Sequence, residues 1–533
     1  MQNYILKLIG TLSYTVLMVL FSQVVVAQTT AIPDTNFERA LGDNFIDVGP
    51  IDGVVLTANI ADVKNLKINS RRIYSLTGIE DFTALETLNC KGNKLTTLDL
   101  SMNINLLRLE VQRNNLTSLN ISQCTKLTSL NCSQNSLNNL VVSNNPELVF
   151  LDCSMNQLTS LNVSNNKRII SLYCYENKLI NLNTDSTEAL SNLLCSDNLL
   201  SELDLSKNNS LNRLSCDNNQ IDSLTTLPSS IVTLSCNKNL LSKLNVGLCK
   251  KLQFLSCNEN KITSLDLSQI LSLRKIQCSD NLLTSLDITH NNYLEDVNCS
   301  NNLITNLDIS KNNSLDQLIC KDNQLINLIS GSIPIDLLIC DNNFLAQLNV
   351  SQNTLLRTLS CSNNQLTSLN LNKNSKLNYI DCSDNNLTCL NLRNDSYSRF
   401  YDYFLERTFY ATGNPNLSCI EVDNVYTSDE YWINIDSTTS FSRNCKNACT
   451  VERNFTYPAV YPNPSKDLFF VDLGDDNTNV NLKLFNSLGR LILSEQYEST
   501  TRARLSFNSP PGIYFLNIET TEGVNKTIKI IKE

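Results

Sequence analysis

The 533-residue sequence predicts a repeat solenoid, with a parallel β-sheet along its concave side and little helix, followed by a small all-β sandwich. From Leu85 to Leu392 leucines return with a period of 21 residues, and fourteen of the 20 cysteines fall in one phase of that period. Beyond residue 457 the period stops, and short apolar runs separated by Gly, Asn and Pro turn signals take its place. Gly (13), Pro (11) and Trp (1) are scarce, which suits a stack of similar coils better than a varied globular domain.

Residues 1–27 read as an export signal. Lys7 is the positive flank, Leu8 to Phe21 the apolar stretch, and Val25-Val26-Ala27 the cleavage pattern, with Gln28 as first mature residue. Thr11, Ser13 and Thr15 interrupt the apolar stretch and no stop-transfer charge cluster follows, so a retained anchor is disfavoured. No later segment reaches the ~20 apolar residues needed for a membrane span. Residues 28–84 should form an N-terminal cap. Ile32 to Leu41 reads as a short capped helix, and Leu66, Ile68, Ile73, Leu76 and Ile79 as a degenerate first coil. A hydrophobic stack needs such a lid at each end.

Residues 85–393 hold fifteen units of 20 or 21 residues, L-x-x-L-x-C-x-x-N-x-L-x-x-L-x-L-S-x-N-x-x. The Cys phase runs from Cys90 through Cys132, Cys153, Cys174 and Cys257 to Cys382, with Val111 the one exception. Three residues on there is always an Asn, among them Asn135, Asn156, Asn177 and Asn260. In x-L-x-C-x, alternate residues point to opposite sides, so Leu and Cys should face inward from a short strand. The Asn sits where the strand turns away, where its amide can bond the backbone of the turn and form a ladder from coil to coil. Leu85, Leu88, Cys90, Asn93 and Leu95 match the signature L-x-x-L-x-[LC]-x-x-N-x-L, and the unit resembles the bacterial 21-residue class of leucine-rich repeats, whose second half here reads Leu98-Asp99-Leu100-Ser101-Met102-Asn103. That resemblance covers about two-thirds of the chain; it implies the fold and does not name a ligand.

Cysteine in an inward phase acts as a small apolar residue, so the ladder is expected to consist of buried free thiols rather than a disulfide framework. No C-x-x-C spacing suggests a metal cluster. Cys124 and Cys249 share another phase, where they replace an Asn; at six coils apart, about 29 Å, they cannot pair. Residues 394–450 should be the C-terminal cap, interrupted from Asp395 to Arg407 by an insertion bearing Tyr397, Phe400, Tyr401, Tyr403 and Phe404. A last coil is expected with Phe409, Ala411, Asn414 and Leu417 in phase. Cys419 and Cys445 flank a segment containing Trp432, where a disulfide would stabilise the cap by roughly 3 kcal/mol; Cys389 and Cys449 are alternative partners.

After a linker at 451–457, residues 458–533 should contain short strands at Leu468–Leu473, Val480–Phe485, Leu491–Leu493, Leu505–Phe507, Ile513–Ile518 and Thr527–Ile531. Tyr461-Pro462-Asn463-Pro464-Ser465, then Leu484-Phe485-Asn486-Ser487-Leu488-Gly489-Arg490, then Pro511-Gly512-Ile513-Tyr514 and Lys526 to Lys532 make this module resemble the C-terminal sorting domain of the type IX secretion system. The resemblance implies recognition by that machinery, passage through the outer membrane of a Gram-negative bacterium, and release or attachment at the cell surface.

No catalytic constellation or cofactor motif is found, and none is expected. The single histidine, His290, lies at an outward position, and its nearest cysteines belong to the buried ladder. Asp280, Asp322, Asp341 and Asp384 follow no calcium-loop spacing. A net charge of −10 speaks against nucleic acid, which needs a basic face. Function should therefore lie in the solenoid surface, as a binding or adhesion protein for a protein or polysaccharide; the alternative is a structural component of the envelope or matrix. The outward strand positions are mostly Ser, Asn, Asp and Thr, and against that background Phe150, Tyr173 and Tyr175, with Leu194 beside them, form the candidate ligand site. Ile319, Leu337 and Ile339 form a second apolar group.

Overall fold

The computed structural model describes residues 27–394, 409–445, 449, 458–461, 463–465, 468–521 and 525–533. They fall into two compact units, one ending at Lys446 and the other beginning at Asn447. The signal stretch 1–26, the insertion aromatics and the linker 451–457 lie outside the described residues.

The first unit opens with strand Thr29–Ala31, paired antiparallel with Val54–Leu56, and helix Thr35–Asp43 between them. The helix begins after Ile32 and Pro33 because Asp34 holds the N-cap conformation. Its Oδ1 accepts from the amides of Asn36 and Phe37 at 2.9 and 3.1 Å. Its Oδ2 accepts from Tyr74 and Ser75 at 2.6 and 3.0 Å, so one carboxylate caps the helix and fastens the lid to the first coil. Phe37 then packs on Phe82 with ring centroids 6.3 Å apart.

Each coil next contributes one strand to a continuous parallel sheet that runs from Asn65–Lys67 to Phe409–Tyr410. The register is uniform: Leu130 faces Leu151, and Leu151 faces Leu172. In every coil from Thr87–Asn89 to Tyr379–Asp381 the central residue is buried and the first stays at least partly open, the alternation required of a one-sided sheet. The strands are only three residues long because the chain turns just beyond the cysteine.

That turn is organised by the ladder asparagine. Asn156 Nδ2 donates to the carbonyls of Cys153 in its own coil and Cys132 in the preceding one, both at 3.1 Å. Its Oδ1 accepts from the amide of Leu137 in the preceding coil at 2.9 Å. Asn135, Asn177 and Asn260 make the same set of contacts. The residue before each Asn adopts a left-handed conformation whatever its type: Gln134, Met155, Glu176 and Glu259 have φ between 51° and 54°. On the far wall a second ladder repeats the donating half of the device, with the Oδ1 of Asn103, Asn145 and Asn166 accepting no bond among the described residues. Asn166 Nδ2 donates to Val142 and Asn145 carbonyls at 3.0 and 2.8 Å. Cys124 takes a place in this ladder, its Sγ 3.8 Å from the Asn103 carbonyl.

All fourteen ladder cysteines, with Cys124 and Cys249, are free and buried. Burial pushes the Cys257 thiol up to about 12, so it stays protonated and chemically quiet. The last coil closes with Phe409 and Ala411 in phase, and Asn414 Nδ2 reaches back to the Cys382 carbonyl at 3.0 Å. Beyond it Trp432, at the C-terminal end of helix Val425–Tyr431, is held between Phe409 and Phe441, at 4.7 and 5.9 Å. Cys419 is bonded to Cys445 across a Cα separation of 5.9 Å. Cys389 and Cys449 are also disulfide-bonded and, every other cysteine being free or paired, to each other.

The second unit differs from the six short strands expected. Strand Leu468–Asn486 spans two of them, and Leu491–Ser506 runs on from the third into the fourth. The two long strands pair antiparallel with a register irregularity between Asp472 and Asn477. Polar residues there break the apolar alternation, and the strand continues past the irregularity because pairing resumes at Asn477 with Thr500. Strands Gly512–Glu519 and Asn525–Lys532 complete the sheet beside the second half. Phe469, Val471 and Leu505 from one half and Leu484, Leu516 and Ile530 from the other share one core.

Two tests follow from the solenoid's construction. Native protein should leave the ladder thiols unlabelled at pH 8, with labelling only on denaturation; rapid native labelling of most of them would contradict the burial. Cys257→Val should cost about 1–2 kcal/mol and Cys257→Asp far more, because the latter buries an unpaired charge. Separately, exposed Glu176 in its left-handed conformation should be improved by Glu176→Asn, which tolerates that region, by about 0.5–1 kcal/mol in urea unfolding.

Candidate recognition surface on the concave sheet

Three outward rows line the concave side: the residues flanking each central Leu, and the residue after each Cys. Over much of their length the polar side chains there satisfy one another. Asp217 Oδ1 accepts from Ser235 Oγ, the Asn237 amide and Asn237 Nδ2 at 2.8, 2.6 and 2.8 Å. Asn237 Oδ1 then accepts from Ser256 Oγ and the Asn258 amide at 2.8 and 2.7 Å, and Asn258 Oδ1 from the Ser279 amide at 2.8 Å. Groups already paired along the stack have little hydrogen-bonding capacity left for a ligand, so discrimination falls to side chains outside this network.

The aromatic candidates lie outside it. Phe150 is the first residue of strand Phe150–Asp152, and Tyr173 the last of Ser171–Tyr173 on the next coil. Their rings meet edge to face with centroids 5.4 Å apart. Tyr175 stands two residues beyond Tyr173 in the row after Cys, and Leu194 follows one coil on. All four are partly exposed.

A second feature lies further along the same face. Ile319 and Ile339 are neighbours across paired strands. With Asn298, Asp341, Ser360 and Tyr379 they line a shallow groove of about 660 Å³. Tyr379 stacks obliquely on Tyr410 with centroids 6.1 Å apart. The sequence points to the isoleucines, and to Asp341 only among the scattered aspartates weighed for calcium, but to neither tyrosine. Both phases were readable: Tyr379 occupies the strand phase of Phe150 and Leu337, and Tyr410 lies between Phe409 and Ala411 of the last coil, opposite Asp381.

The other candidates are placed as ordinary surface groups. His290 is exposed, with Thr289 Oγ1 3.4 Å from its Nδ1. Asp280, Asp322 and Asp384 occupy the left-handed turn position, while Asp341 sits in the row after Cys. Among the described residues, no three His, Cys, Asp or Glu side chains are grouped so as to hold a metal, and no helix is long and apolar enough to cross a membrane.

Residues 459–533 match the family described as the secretion system C-terminal sorting domain. Among curated proteins none matches the chain in sequence. Among solved structures it is similar to the functional domain of InlJ from Listeria monocytogenes, described as including a cysteine ladder, with 24% identity, TM-score 0.60, and coverage of 95% of this chain and 99% of that one. It is also similar to a leucine-rich-repeat protein of Leptospira interrogans, with 22% identity, TM-score 0.55, and coverage of 69% and 97%. YopM from Yersinia enterocolitica shares 24% identity at TM-score 0.50 over 64% of this chain and 74% of its own. The repeat pattern and these structures agree on the solenoid, and the family match on the export module. The first unit therefore has the leucine-rich-repeat fold, and residues 459–533 carry a type IX secretion system C-terminal sorting domain, so the protein is secreted or attached to the cell surface.

Proposed function

We propose that this protein acts outside the cell as a binding or adhesion protein, without enzymatic chemistry, recognising a protein or glycan through the concave face of its solenoid. The observation that carries the reading is the half-exposed pair of Phe150 and Tyr173 on a face where many of the polar groups are engaged with each other. Aromatic side chains offer large contact area at a small cost in side-chain entropy, which suits a sugar ring or an apolar protein side chain. The rigid sheet holds them in position before the ligand arrives. The sorting domain supplies the means of presentation, and its partner is the type IX machinery.

Replacing Phe150, Tyr173 and Tyr175 together by Ser should leave thermal unfolding nearly unchanged. Binding to ligands identified on a glycan and protein array should weaken at least tenfold, about 1.4 kcal/mol. Equal binding by parent and variant would place the site elsewhere. An array with no ligand for the parent would favour a structural role in the envelope or matrix. For processing, mass spectrometry of the extracellular form should find its N-terminus at Gln28 and the module after residue 457 removed. Recovery of both Met1 and Glu533 peptides from one mature chain would refute this.

A further inference from the structure

The groove between Ile319 and Tyr410 differs in kind from the first aromatic pair. It begins seven coils on from Tyr173, about 34 Å away at a spacing of about 4.8 Å per strand. Its floor is apolar, formed by Ile319 and Ile339. Its far end is aromatic, formed by Tyr379 against Tyr410. Asp341 lines the groove, and Asp381 stands beside it on the strand of Tyr379, close enough for its charge to act on Asp341; neither has a cationic partner among the described residues. The groove's one lysine, Lys321, is directed to Asp322 at 3.7 Å.

Asp341 is fixed in place by its neighbours. Its Oδ1 accepts from Ser360 Oγ at 2.7 Å, the Ser362 amide at 2.8 Å and Ser362 Oγ at 3.1 Å, while Oδ2 has no partner among the described residues. Asp381 is held in the same way: Oδ1 accepts from the Ser383 amide and Ser383 Oγ at 3.0 and 2.5 Å, and Oδ2 has no partner among the described residues. Burial raises the Asp341 carboxyl above its ordinary range, the serine hydrogen bonds oppose that, and Asp381 adds to it. Two like charges oriented in a half-buried groove are a standing cost that an incoming cation would relieve.

Resting on the concave face being a recognition surface, we propose that this groove is a second subsite that takes a lysine or arginine side chain of a protein ligand. The aliphatic stem would lie along Ile319 and Ile339, and the cationic head would meet the free Oδ2 atoms beside the tyrosine rings. A neutral sugar would find the ring platform but would leave the repulsion between the carboxylates in place. Charge complementarity therefore favours a basic protein segment over a neutral glycan.

The test uses the full secreted chain and three fluorescent heptapeptides, identical except for a central Lys, Arg or Gln, followed by fluorescence polarisation. The Lys or Arg peptide should bind at least tenfold tighter than the Gln peptide. D341N keeps an oxygen for the three serine donors but turns the free acceptor into a donor, so it should fold as the parent does and lose the preference. Y379A should weaken all basic peptides, whereas D99N, on an exposed turn outside the groove, should change nothing. The variant lacking Phe150, Tyr173 and Tyr175 should retain the preference, which separates this subsite from the first one. Equal binding of the three peptides to the parent, or an unaltered preference in D341N, would overturn the proposal. So would a neutral oligosaccharide that competes at this groove in a D341-dependent manner.

Discussion

The asparagine three residues after each ladder cysteine ties two coils together at the point where the strand ends. Its amide nitrogen serves a carbonyl in its own coil and one in the coil before, and its oxygen takes an amide from that earlier coil. A strand of three residues leaves backbone groups exposed at the turn, and a buried group left unpaired costs about 1–3 kcal/mol. The side-chain amide removes that cost in every repeat and fixes the next coil in register while doing so. Stacked Leu and Cys side chains then exclude water from the interior, so no coil is stable apart from its neighbours.

This construction separates stability from recognition. The inward phases and the two amide ladders hold the solenoid, while the three outward rows can change without touching the core. Much of that outer surface is nevertheless spent on its own cross-coil hydrogen bonds, as around Asp217, Asn237 and Asn258. What stands free of that network is aromatic or apolar at Phe150 and Tyr173, and mixed apolar and acidic between Ile319 and Tyr410. The ends are closed by different means: a carboxylate, Asp34, fastens the first lid, and aromatic packing with disulfides seals the second.

The solenoid was legible because a 21-residue period forces the same residue type into the same environment many times. Cys257, Asn260 and their equivalents could be placed from phase alone. The left-handed turn position was only partly legible: Gly92, Asn218, Asp280 and Asn301 are types that favour it, but Gln134, Met155 and Glu176 are not, and they adopt it all the same. The second amide ladder was also missed: Asn103 and Asn166 appear in the pattern, but only the close stacking of coils reveals what their amides bond. Asp341 shows the remaining limit. A single aspartate in a variable row looks like any other until its serine partners and the tyrosines from later coils are brought beside it.

If coil-to-coil closure carries the structure, removal of one whole unit should be tolerated where removal of part of one is not. Deletion of residues 255–275 joins Phe254 to Ile276 and keeps every phase intact, whereas deletion of 255–265 puts Asp266 where a core Leu belongs. The direct measurement is native-state thiol protection of the two shortened chains across a urea series. The whole-unit deletion should keep its remaining ladder thiols protected to nearly the urea concentration of the parent, and the partial deletion should expose those near the junction without denaturant. Equal exposure in the two chains would show that something other than register-locked stacking holds the solenoid together.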